Sequence, residues 1–112
     1  MSEKITQDLD DLNYEFNFFR WGNVVFVRGK VYFKKSVAYI GIFPSKYLPA
    51  SSIHVAIMDL TANNIPTDIC FIIDYNTSTW TVRDPYWGAS ALLPKANHRY
   101  DFDCTYITSA GL

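Results

Sequence analysis

Apolar side chains recur at every second position along most of this chain, and that spacing constrains the fold more than any other feature. Tyr14, Phe16 and Phe18 alternate with Glu15 and Asn17, and Tyr100, Phe102, Cys104 and Tyr106 alternate with Arg99, Asp101, Asp103 and Thr105. Successive side chains of a strand point to opposite faces, so each run reads as a strand with one face on a core. Val25, Val27, Val31 and Phe33 likewise share a face, with Arg28, Lys30 and Lys34 on the other. Gly29 interrupts that strand and marks a bulge or a close backbone approach. Further strands are expected over residues 37–43, 53–60, 69–73 and 79–83, with a short one at 91–93. Trp21-Gly22-Asn23, Lys34-Lys35-Ser36 and Asn76-Thr77-Ser78 read as turns, and Pro44, Pro49, Pro66 and Pro94 bound loops. Seven or eight short strands with no helical period after residue 13 predict an all-β domain. The expected form is an antiparallel β-sandwich or a small β-barrel of jelly-roll or Greek-key type.

The first thirteen residues follow a different pattern. Ile5, Leu9 and Leu12 have the four-then-three spacing of a coiled-coil seam. Residues 1–13 are therefore expected to be a leader, either the last helical turns of an oligomeric stalk or an extended, unstructured lead-in, with residues 14–112 forming the head.

A chain of 112 residues with 17% aromatics can build one core without metal or disulfide staples. Its net charge of -1, with both signs interspersed, argues against a nucleic-acid or anionic-lipid surface. No apolar run reaches the ~18–20 residues that span a bilayer. The polar, acidic start lacks the basic and apolar regions of a signal peptide, so synthesis in a cytoplasm and no membrane insertion are expected. Cys70 and Cys104 lie in apolar runs and read as buried free thiols, with a disulfide as the alternative.

Catalytic chemistry finds little footing. His54 and His98 fall in no nucleophile or metalloprotease motif, and no enzymatic activity, metal or cofactor is expected. Asp101 and Asp103 share one strand face and read as a solvated face rather than a glycosidase pair. Arg28, Lys30 and Tyr32 interleave base and aromatic as an oligonucleotide-binding strand does, but the patch is small and no nucleic-acid partner is expected. Trp80, between threonines in mid-strand, reads as core, and His54, among aliphatics, as a core or subunit-interface histidine. Sugar binding suits the composition better, because an exposed aromatic ring offers a platform for a sugar's C–H face and polar side chains reach its hydroxyls. The segments Arg83-Asp84-Pro85-Tyr86-Trp87-Gly88, Lys95-Ala96-Asn97-His98-Arg99 and Arg20-Trp21-Gly22-Asn23 have that composition.

Two segments and the closing strand resemble a known family. Trp21-Gly22-Asn23-Val24-Val25-Phe26-Val27-Arg28-Gly29 and Ile40-Gly41-Ile42-Phe43-Pro44-Ser45-Lys46-Tyr47-Leu48-Pro49, followed by the alternating aromatic strand from Tyr100 to Tyr106, are similar to the C-terminal heads of receptor-binding and fibre proteins at siphophage tail tips and baseplates. Lys46 stands where that family usually carries Gly. The likeness covers about residues 14–108, whether the chain is a trimmed head or a complete small protein. It implies a homotrimer in the virion, attached to other baseplate or tail proteins. Its heads would recognise a host cell-wall polysaccharide or teichoic-acid-like glycan without cleaving it. It places the saccharide on Trp87, Asp84, Arg83 and His98, with Tyr86 in support. A ligand-free baseplate or tail-fibre domain serving oligomer assembly is the alternative; a cellular carbohydrate-binding module and a small hydrolase stand behind it.

Overall fold

The computed structural model describes residues 2–66, 68–85 and 92–109, and the alternating segments become strands of two antiparallel sheets. The strands are β1 (Ser2–Asp8), β2 (Leu12–Trp21), β3 (Val24–Phe33), β4 (Ile40–Ile42), β5 (Ile53–Ala56), β6 (Met58–Asp59), β7 (Cys70–Asp74), β8 (Thr79–Arg83) and β9 (His98–Ile107). A single 3-10 turn spans Ser45–Tyr47. One sheet has the order β1-β2-β3-β9-β6 and the other β4-β8-β7-β5. They face each other as a sandwich and neither closes into a barrel.

The alternating aromatics form the contact between the sheets. Phe16 and Phe102 of the five-stranded sheet meet Phe71 and Trp80 of the four-stranded one, with ring centroids 5.6 Å apart for Phe16–Phe71, 5.1 Å for Phe16–Trp80 and 3.8 Å for Phe71–Phe102. Trp80 is buried as the sequence predicted. Two glycines make room for this cluster. Gly29 pairs with Phe102 and Gly41 with Trp80, each directly across from its ring. A Cβ on either glycine would run into that ring. The register of β3 is unbroken on both sides, so Gly29 marks a close approach and no bulge.

The leader is extended and not helical. Ser2–Asp8 pairs along its whole length with β2, Leu12 is fully buried, and β2 runs without a break across residues 13 and 14. The four-then-three spacing arises because a tight turn falls between Leu9 and Leu12, closed by Leu9 N–H donating to Leu12 O at 2.9 Å. Only Ile5 of β1 is apolar among its inward positions, so an edge strand protected by polar residues carries no alternation to read.

Two other expectations change. The run 53–60 is not one strand: β5 pairs with β7 in one sheet, Ile57 turns the chain inward, and β6 pairs with β9 in the other. That change of sheet explains why the run looks apolar on both faces. Of 37–43 only β4 is a strand, and Leu92 and Leu93 are in none. The segment after β4 instead closes one end of the sandwich. Tyr47 is fully buried, stacked on Phe18 at 4.2 Å, and its hydroxyl donates to Glu3 Oε1 at 2.7 Å. Cys70 and Cys104 are free and half-buried. Alternation points Cys70 outward from the four-stranded sheet and Cys104 inward from the five-stranded one, so the two thiols lie on different layers.

Candidate functional site

Of the residues expected to bind saccharide, Arg83, Asp84 and His98 are described, each with contacts of its own. Tyr86 and Trp87 lie outside the described residues. Arg83 ends β8 on its outward face, lining a shallow apolar hollow with Ile40, Ile72 and Thr81. Its Nε donates to Asp84 O at 3.2 Å, while Asp84 N–H donates to Leu92 O at 3.1 Å. His98 opens β9, and its Nδ1 lies 2.8 Å from Asp59 Oδ2. The other Asp59 oxygen accepts the Thr61 and Ala62 amides at 3.1 and 3.0 Å. Burial works to raise the Asp59 pKa, but the bonds from His98, Ala62 and Thr61 outweigh it and hold the carboxyl below its ordinary value. His98 is thus committed to tying β6 and the following loop to β9. His54, expected in a core or subunit interface, is exposed on the outward face of β5. Among the described residues no group of three or more His, Cys, Asp or Glu side chains could hold a metal ion.

The feature with the composition of a binding surface is the outward face of the five-stranded sheet. The pairings of β2, β3 and β9 place its side chains in five cross-strand rows: Trp21-Val24-Ile107, Phe19-Phe26-Thr105, Asn17-Arg28-Asp103, Glu15-Lys30-Asp101 and Asn13-Tyr32-Arg99. The first two rows are an aromatic shelf. Trp21 is 67% exposed, stacked against Phe19 with centroids 6.5 Å apart and planes 13° from parallel, and Phe19 touches Phe26 at 5.9 Å. Ile107 is exposed beside it. The shelf forms because β2 and β3 continue their alternation to the two-residue turn Gly22-Asn23, where Gly22 takes a left-handed φ of 58°.

Next to the shelf the face turns polar. A cavity of about 390 Å³ is lined by Asn17, Phe19, Arg28, Lys30 and Asp103 among others. Glu15 is held 3.3 Å from Lys4 and 3.7 Å from Lys30, and accepts from Asn17 at 3.2 Å. The Asn17 hydrogen bond, with the two lysines, draws the Glu15 pKa below its ordinary value. Arg99 grips Asp101 through two bonds of 2.8 Å. Arg28 and Asp103 face each other across the β3–β9 pairing, and neither has an ion-pair partner among the described residues. Their donors and acceptors are available to hydroxyl groups. The solvated face expected from Asp101 and Asp103 is therefore a charged surface continuous with the exposed Trp21 ring and the half-buried rings of Phe19 and Phe26. In the sequence Trp21 belongs to a polar segment, Arg20-Trp21-Gly22-Asn23, that reads as a loop. Phe19 and Phe26 take outward positions because Phe16, Phe18, Val25 and Val27 claim the inward ones, but their meeting depends on the β2–β3 pairing, which neither strand's own sequence shows.

Comparison with protein-family models, with curated proteins and with solved structures returns no match to this chain.

Proposed function

We propose that this domain is an adhesion module that holds a cell-surface saccharide without cleaving it, on the outward face of its five-stranded sheet. The observation that carries the reading is the exposed Trp21 ring stacked on the half-buried Phe19, which touches the half-buried Phe26, beside Arg28 and Asp103, which have no ion-pair partner among the described residues. An aromatic ring takes the apolar face of a sugar, and a guanidinium next to a carboxylate supplies donors and acceptors to its hydroxyls. The likeness of the segments around Gly29 and Gly41 to phage tail-tip heads supports placing the module in a virion, as a receptor-binding head of a homotrimer facing a bacterial cell wall. Trimerisation suits weak single-sugar contacts, because several copies raise the effective concentration at the surface.

The test is binding of the fluorescent domain to intact Gram-positive cells and their purified walls, comparing Trp21→Ala, Trp87→Ala and the unaltered chain. Trp21→Ala should abolish binding with an unchanged melting temperature, since its ring lies outside the core. Full binding by Trp21→Ala with loss in Trp87→Ala would move the site to the segment that carries Trp87. Release of soluble sugar from the walls would overturn the non-cleaving role.

A second reading, a ligand-free domain serving assembly, draws on β4. This edge strand of the four-stranded sheet shows Ile40 and Ile42 to solvent, 68% and 82% exposed. An exposed apolar edge favours pairing with another chain. That reading expects oligomers in light scattering and no affinity for cell walls.

A further inference from the structure

We infer that the ligand of this face is an uncharged linear glycan lying lengthwise along the strands across two aromatic subsites, and not a single terminal sugar or a phosphate-bearing polyanion. The inference rests on the saccharide reading above and deepens it. Its first ground is the order of the five rows. Aromatic rings stand at both ends of the polar stretch, Phe19, Trp21 and Phe26 at one and Tyr32 at the other. Phe26 and Tyr32 are six positions apart on β3, which at ~3.4 Å per residue is about 20 Å. One sugar unit cannot touch both; a chain of several units can. The ground between them is continuous. The cavity beside the shelf and a second of about 540 Å³, lined by Asn13, Tyr32 and Arg99, share Glu15 and Lys30 as lining residues. No strand lies over this face among the described residues.

The second ground is charge. Lys4, Arg28, Lys30 and Arg99, with Lys34 reaching Asp8 at 2.7 Å, are set against Asp8, Glu15, Asp101 and Asp103 on the same face, and β1 brings Lys4 beside Asn17 and Asp8 beside Asn13. Five positive groups stand against four negative, and each charged row holds both signs. A polyanion laid along the strands would meet a carboxylate wherever it met a cation. Hydroxyl groups, which both donate and accept, suit such a mixed surface.

The experiment titrates the full chain with cello-, laminari- and chito-oligosaccharides of one, two, four and six units, and with poly(glycerol phosphate), by NMR chemical shift at low and high sodium chloride. Affinity should rise at least tenfold between two and six units and stay constant with salt, with poly(glycerol phosphate) weaker. Tyr32→Ala should weaken the six-unit chain severalfold while leaving the two-unit one unchanged, and Trp21→Ala should weaken both. Binding without dependence on length overturns the lengthwise arrangement and leaves the saccharide reading intact. Tighter, salt-sensitive binding of poly(glycerol phosphate) overturns the uncharged class alone. No binding by any probe at any length overturns the saccharide reading together with the inference.

Discussion

At the scale of single residues, the same device appears once in each sheet: a glycine faces an aromatic ring across a strand pair, Gly29 under Phe102 and Gly41 under Trp80. The backbone clears the space that the ring fills, which lets four large rings meet at the centre of a thin sandwich. Gly29→Ala should therefore cost about 1–3 kcal/mol by overpacking. Adding Phe102→Leu should recover part of that loss, a coupling read by chemical denaturation of the four-member cycle. Gly22→Ala makes an informative contrast. A Cβ there meets nothing within 4 Å, but φ is 58°, so a loss of roughly 1–2 kcal/mol would come from the left-handed backbone alone. Gly29 stands out in the sequence as a break in its strand, whereas Gly41 is only one residue of its segment. The reason for either glycine is not legible there, because each ring comes from a distant strand.

At the scale of elements, β1 and the segment after β4 depend on each other. Glu3 of β1 accepts the Tyr47 hydroxyl and lies 2.6 Å from Lys46 Nζ, while Tyr106 donates to Tyr47 O and Arg20 to Lys46 O, both at 2.6 Å. At β1's other end Lys34 Nζ reaches Asp8 Oδ1 at 2.7 Å and Leu9 O at 2.6 Å. Tyr47→Phe keeps the ring on Phe18 and removes only the hydroxyl. The expected loss is about 1 kcal/mol, with faster amide hydrogen exchange confined to β1 as the distinguishing measurement. Ile42→Lys on β4 belongs to this scale as well. The side chain is exposed, so monomer stability should change by less than about 0.5 kcal/mol, while any oligomer built on that edge should dissociate in light scattering. The ten-residue strands were legible because each keeps one face on the core throughout. The division of 53–60 was not, since a strand that changes sheets loses its single inward face midway.

At the scale of the whole molecule, the ionisable groups set the range of pH over which the sandwich holds. Asp59, Glu3 and Glu15 are held below their ordinary values by their hydrogen-bond partners, in Asp59 against the opposing effect of burial. Groups with lowered folded-state values stabilise the fold above their unfolded values, and that stability is lost on acidification below about pH 4. On the alkaline side burial, joined in Tyr47 by its bond to Glu3, pushes Tyr47 and Cys104 each up to about 12, and burial raises Tyr14, Tyr100 and Tyr106 too. These groups favour the fold while neutral. Their contribution is complete below the unfolded thiol value and is lost as pH rises from about 9 through the folded values. The melting temperature should accordingly be flat near neutrality and fall on both sides, with the alkaline fall reduced in Tyr47→Phe. The sequence by itself determined the all-β class, the inward set of the long strands and the burial of Trp80, because a period of two leaves a pleated strand only one way to face its core. Tertiary structure alone decided the sandwich over the barrel, the pairing of the leader as an edge strand, and the gathering of Trp21, Phe19, Phe26, Arg28 and Asp103 on one surface. Those outcomes depend on which strands become neighbours, and alternation within a strand carries no information about its partner.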